Sequence, residues 1–285
     1  MHLLRIRSIV LTIVVHLYAI ALPAFPQSSP YPWLTSYRQS HAIASRIKPP
    51  RGYYAVRTRA GTFEDWLTHL PLKEGRPPVF LHDGRRKSNQ DAHFAVVDID
   101  IGNGDLQQCA DAVIRLRGEF LYSVGDYPAI HFNFTSGHRA DFTRWAAGYR
   151  PIVTDNRVRW TKRAKEDFSY RSFREYLNQV FAYAGSSSLS KELRKLSDVH
   201  HMRIGDVFIQ GGFPGHAAIV VGMTVNQRTG RRLFLLAQSF MPAQNVYVLK
   251  NPANARLSPW YELDFGENLI TLEWVFGKDD LKRFP

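Results

Sequence analysis

"GDVFIQGGFPGHAAIVVG", residues 205–222, is the stretch from which the fold is read. Asp206 to Ile209 reads as a short strand, 211–215 as a tight turn of glycine and proline, and Ala217 to Val221 as an unbroken apolar run. Apolar runs of this length bounded by turn residues belong inside a sheet. An ionisable imidazole, His216, stands at the mouth of the second strand. The chain downstream keeps this character, with strands expected over 217–223, 233–238, 246–249 and 270–276 and a hairpin turn at 226–230.

Upstream the period changes from two to 3.6. "DLQQCADAVIRLRGEFLYS", 105–123, is the strongest helix pattern: Asp105 is a good N-cap, and Gln108 stands at the capping-box position. Leu106, Cys109, Val113, Leu116 and Phe120 fall on one stripe, with Arg115, Arg117 and Glu119 off it. "TFEDWLTHL", 62–70, is a shorter helix capped by Thr62, and Val97 to Ile101 alternates as a strand does. Asp98 and Asp100 share one face of that strand and are read as solvated. From 131 to 200 the pattern is mainly helical, broken by a loop at Ser186–Ser188. Trp145, Tyr149, Trp160 and Tyr170 there read as core packing with arginines turned outward. A helix followed by antiparallel strands makes an α+β fold.

Cys109 falls near the start of its helix, where the dipole favours a thiolate, and it is the chain's one cysteine. A base on the packed sheet would complete a nucleophile, and His216 is placed for that role. Gln238, at the end of "LFLLAQSF", is the candidate to orient the ring. Gln108 and the Cys109 amide offer an oxyanion hole, and capping explains Gln108 equally well. Cys109 also lies on the apolar stripe, so an inert core thiol stands as the other reading. Asp206 is read as fixing a turn. The sequence has no HExxH, no paired cysteines, no phosphate-binding glycine loop and no dinucleotide fingerprint, so neither a metal nor a cofactor is expected.

The stretches "QQCADAVIRL", "GDVFI" and "GHAAIVVG" resemble the motif pattern of CHAP-type amidases, papain relatives that cut amide bonds in bacterial cell walls. The resemblance implies a papain-like core, with the cysteine helix packed on an antiparallel sheet. It further implies Cys109 as nucleophile, His216 as base and Gln238 as orienting residue. Gly215, Ser239 and Gln244 would then lie at the substrate rim. The chain departs from that pattern in two ways: a long interval between cysteine and histidine, implying a helical insertion over 125–203, and glutamine as the third residue. At full length, through "DLQQCADAVIRLR", "GDVFIQGGFPGHAAIVV" and "LLAQSFMPAQNVYVLKNP", the chain also resembles the bacterial domain-of-unknown-function family numbered 4846.

The N-terminus carries Arg5 and Arg7, then an apolar run from Ile9 to Leu22, then "ALPAFPQSSP". This is the pattern of a signal peptide over 1–24, cleaved near Ala21 or Ala24, and the run is short for a membrane span. An exported, periplasmic or extracellular protein with no membrane span after cleavage is expected. Residues 25–104 are expected to join the domain completed by 105–285. Removing Arg5 and Arg7 takes the net charge from +12 to +10, and residues 138–203 hold 14 Lys/Arg against 7 Asp/Glu. The expectation is therefore a monomeric cysteine hydrolase acting on a peptide or cell-wall amide, with no nucleic-acid partner. The alternative is a non-catalytic envelope protein holding an acidic polymer on its basic face.

Overall fold

The run that opens at His216 is the longest strand, His216–Val225, and all of it but the last residue is buried. The computed structural model describes residues 29–285, so the expected signal segment lies outside the described residues. The long strand pairs antiparallel with Val207–Gln210 on one side and Arg232–Gln238 on the other. Beyond Arg232–Gln238 come Tyr247–Leu249 and His93–Val96; beyond Val207–Gln210 come Leu281–Arg283 and Arg194–Lys195. Tyr54–Ala55 flanks the far end of the long strand, and Tyr261–Glu262 the near end of Arg232–Gln238. The sheet thus has nine strands, drawn from both sides of the cysteine helix in sequence, and the fold is α+β.

The cysteine helix, Cys109–Ser123, is buried on most of its circumference rather than along one stripe. A second helix, Tyr170–Tyr183, lies against it, so close that a Cβ on Gly118 would stand 3.3 Å from Phe173. That helix explains why Arg115 and Glu119, expected to point away from the core, are both 0% exposed. They are compensated where they lie. Arg115 Nε donates to Glu119 (3.2 Å), Nη2 to the Asp100 carboxylate (2.5 Å) and Nη1 to Gln107 (2.6 Å) and the Asp100 carbonyl. Tyr170 donates to Glu119 at 2.8 Å. Asp100 is solvent-exposed as read, with its side chain 55% exposed, but it lies beyond the strand and is a partner of both helices through Arg115 and Arg174. The strand ends at Val96, one residue before the Val97 amide makes a last bond to the Val246 carbonyl at 2.9 Å.

The helix begins at Cys109 and not after Asp105, with Gln108 as the N-cap residue. The Gln108 amide donates to Asp111 at 3.1 Å, while the Asp105 carboxylate is taken up by the Ala243 amide (2.7 Å) and the Gln108 side chain (3.1 Å). Residues 62–70 are as expected: Phe63–Thr68 is helical, and Thr62 accepts the Asp65 amide at 3.3 Å. The stretch 125–203 is mixed rather than helical. It holds the hairpins His131–Asn133/Arg139–Asp141 and Tyr149–Thr154/Arg157–Lys162 beside the helices Phe142–Ala146, Tyr170–Tyr183 and Ser186–Glu192. Its aromatic residues at helical spacing are equally spaced to pack across hairpins, and Trp145 and Trp160 are core. The strand expected over 270–276 is a hairpin, Asn268–Ile270 with Val275–Gly277, and the residues between form its turn.

Candidate active site

Antiparallel pairing brings His216 and Gln238 together. Gln210 pairs with His216 and Ala237 with Ile219, so Gln238 falls one residue further, on the face that carries His216. His216 Nε2 and Gln238 Oε1 are 2.8 Å apart. The rings of Phe240, Trp274 and Phe276 surround the imidazole at centroid distances of 4.8–5.7 Å. Trp274 is fixed in turn by its indole N–H, which donates to Gln210 at 2.9 Å.

The tautomer follows from the far side of the glutamine. Gln238 Nε2 donates to Glu273 Oε2 at 3.0 Å and to the Tyr247 hydroxyl at 2.8 Å. A carboxylate can only accept, so the amide nitrogen must face Glu273 and the amide oxygen must face the ring. His216 therefore carries its proton on Nε2. Nδ1 is left with a lone pair that is buried and has no hydrogen-bond partner. Burial holds the imidazole neutral, with its pKa lowered to about 4.

Glu273 is the residue that the sequence reading missed. It sits in the 271–274 turn, whose geometry is set by Thr271 Oγ1 accepting the Trp274 amide at 2.9 Å. Its carboxylate takes Lys87 in an ion pair, Asn89 at 3.3 Å and the Tyr247 hydroxyl. Lys87 also donates to Tyr247 at 3.0 Å. Lys87 and Glu273 lie far apart in sequence in segments of unremarkable pattern, so no local signal marks them.

Cys109 opens its helix against the histidine strand, and the backbone amide of Ala217, the residue after His216, lies close enough to its sulfur to favour the thiolate. No hydrogen bond joins the sulfur to His216 among the described residues. Burial pushes the thiol pKa up to about 11, against the opposing pull of the Ala217, Ala110 and Cys109 amides. The dipole argument of the sequence thus loses to desolvation: the resting thiol is protonated.

A cleft of about 410 Å3 opens over the helix start, lined by Gln108, Cys109 and Asp111 on the floor and by Gly215, Phe213 and Met241 along one edge. Thr135, Phe181, Ala182 and residues 184–187 complete the lining, and Ser186 donates to the Gly212 carbonyl at 3.1 Å, so the 125–203 segment meets the glycine turn at the cleft. Gly215 is the one residue type that fits its position, since a Cβ there would stand 2.3 Å from Ser186 Oγ and 2.6 Å from the Gly212 carbonyl. Phe213, on the turn it closes, is 99% exposed. Ser239 and Gln244 do not reach the cleft. Both are fully buried, with Ser239 Oγ bonded to the carbonyls of Gln107 (3.2 Å) and Gln244 (2.9 Å), which clamps the loop 239–244 onto the residues before the helix. Asp206 holds a turn as read, accepting the Arg203 amide at 2.7 Å and pairing bidentately with Arg283.

These elements define a class: an α+β protein with a helix-borne thiol set against a sheet-borne, amide-held histidine. The chain belongs to the family described as domain of unknown function 4846, whose family model matches residues 43–283. No curated protein and no solved structure matches the chain. Among the described residues no cluster of His, Cys, Asp or Glu is placed to hold a metal ion, and no helix is long and apolar enough to cross a membrane.

Proposed function

We propose that this protein is a cysteine-dependent hydrolase that cleaves an amide by acyl transfer, with Cys109 as nucleophile and His216 as base. The observation that carries the reading is the fixed tautomer: a neutral imidazole with a free, buried Nδ1 lone pair, on the residue next to Ala217, whose amide acts on the Cys109 thiol. Thiol and imidazole are both neutral at rest, so proton transfer to Nδ1 accompanies attack of the sulfur on the carbonyl carbon. The C–N bond then breaks, the imidazolium returns the proton to the leaving amine, and water hydrolyses the thioester.

Developing negative charge on the carbonyl oxygen is met by the Cys109 amide at the helix start, with the Gln108 side chain beside it. The imidazolium is positioned by Gln238, whose amide dipole couples it to Glu273. The acidic side chains lining the cleft are Asp105, which is ionised, and Asp111, which burial keeps protonated, and among the described residues no Lys or Arg joins them, which disfavours an anionic group next to the scissile bond and suits a neutral or amine-bearing one. A peptide or cell-wall stem fits that chemistry. The leader pattern of the sequence supports a setting for such a reaction in the envelope or outside the cell.

The test is hydrolysis of a panel of peptide amides by wild type, Cys109→Ala and His216→Phe, each checked for folding. The reading expects turnover lost in both variants and a thioester adduct on Cys109 in wild type by intact mass. Turnover that survives in Cys109→Ala would sink it.

A further inference from the structure

The end of the sheet remote from the cysteine carries charge of the opposite sign. Met223 lies seven residues along the strand from His216, roughly 20 Å or more away at strand rise. Two adjoining depressions of about 480 and 300 Å3 meet there and share Met202, Arg203 and Arg232. The first is lined by Arg194, Lys195 and Arg283 in addition, and the second by Arg57 and Arg59. Glu64 is the single carboxylate among the lining residues of either.

Two of the guanidiniums are fixed. Arg232 donates to the carbonyls of His200 (2.7 Å) and Met202 (2.8 Å), which orient it without neutralising it. Arg283 is held by Asp206 and by the His201 carbonyl at 2.8 Å. The other four, Arg57, Arg59, Arg194 and Arg203, have side chains with no hydrogen bond or ion pair among the described residues and stand exposed. A row of exposed, like-charged forks around a fixed centre repels itself unless an anion lies along it.

We propose that this groove binds a linear phosphate polymer without bases, a polyphosphate or a polyol phosphate, laid across the Arg203–Arg232 saddle. Arginine outnumbers lysine six to one in the lining, and its planar fork matches the paired oxygens of a phosphate. Two joined depressions suit a repeated anion rather than one small ion. Among the described residues no phenylalanine, tyrosine or tryptophan lines either depression, and the rings open to a nucleobase are His200 and His201 of the first depression, a poor platform for successive bases along the groove. The site stands whether or not the thiol is catalytic.

The test is titration of the full chain with long-chain polyphosphate, using tripolyphosphate, poly-glutamate of matched charge and a single-stranded oligonucleotide as comparators. The proposal expects long-chain polyphosphate to bind tightest and its affinity to fall steeply with salt. Arg57→Ala/Arg194→Ala/Arg203→Ala should weaken it at least tenfold and flatten the salt slope by about one per arginine removed. Arg157→Ala/Arg159→Ala/Arg163→Ala, an equal charge loss on an exposed hairpin, and Cys109→Ala should leave it within twofold. Equal weakening in both triple variants, equal binding of poly-glutamate, or tighter binding of the oligonucleotide would each overturn it.

Discussion

Two clusters of buried polar groups lie in this molecule, and they differ in what they leave open. In the first, Arg115 spends all three guanidinium nitrogens on Glu119, Asp100 and Gln107, and Arg174 and Tyr170 close over it from the second helix. In the second, Lys87, Tyr247, Glu273 and Gln238 form a chain that ends on His216 and leaves one ring nitrogen unpartnered. Arginine cannot shed its charge inside a protein, whereas lysine and histidine can, and burial lowers the pKa of both Lys87 and His216. A cluster built on arginine is a staple between elements. One built on groups that can change protonation and ends on a free lone pair, on the strand against which the thiol's helix packs, is suited to chemistry.

The comparison breaks most visibly at the staple. Glu119→Ala leaves Arg115 charged, buried and short of a partner, at a cost of about 3–5 kcal/mol. Chemical denaturation should show that loss, and Arg115→Met/Glu119→Leu should recover most of it. A single variant as stable as wild type would mean that the ion cluster is not holding the helices together. Glu273→Gln in the second cluster should cost less, about 1–3 kcal/mol, because Lys87 can lose its proton. The same change should slow thiol chemistry, since Gln238 loses the carboxylate that fixes its orientation.

A third contrast lies at the helix start. Burial raises the Asp111 pKa to about 8, well above the unfolded value, so the folded state binds the extra proton between about pH 4 and 8. Stability should fall as pH rises through that window. Asp111→Asn keeps an oxygen for the Gln108 amide and removes the titration. It should match wild type near pH 4 and exceed it by about 1 kcal/mol or more at pH 8. Identical pH dependence of the two melting curves would refute this. In His216→Phe a ring of similar volume enters a cage of aromatic rings but leaves buried Gln238 Oε1 without its donor: a loss of about 1–3 kcal/mol is expected, with thiol reactivity at neutral pH lost.

How much of this was legible follows the range of the interactions. The strands about His216 and Gln238 were readable because each is a local apolar run between turn residues. Cys109, His216 and Gln238 could be singled out because helix start, strand start and strand end are local features. The Lys87–Glu273 pair was not, since it joins a turn-rich N-terminal segment to a turn hidden inside what reads as a strand. The same limit hid the ion-pair partners of Asp100, which lie on other elements, and the burial of Ser239 and Gln244, whose polar types suggest a rim. The thiol pKa reversed its expected direction because desolvation depends on what the 125–203 segment covers, and periodicity alone does not place that segment.

The most direct test is the rate of Cys109 alkylation by iodoacetamide from pH 3 to pH 12, in wild type and in His216→Phe. With His216 as base, the wild-type rate should rise through about pH 4, where the imidazole loses its proton, hold level across neutral pH, and rise again near pH 11, where the thiol ionises unaided. The variant should keep only the upper rise. If the two profiles coincide, or if Cys109 reacts only after unfolding, the thiol is a core residue and the histidine does not serve it.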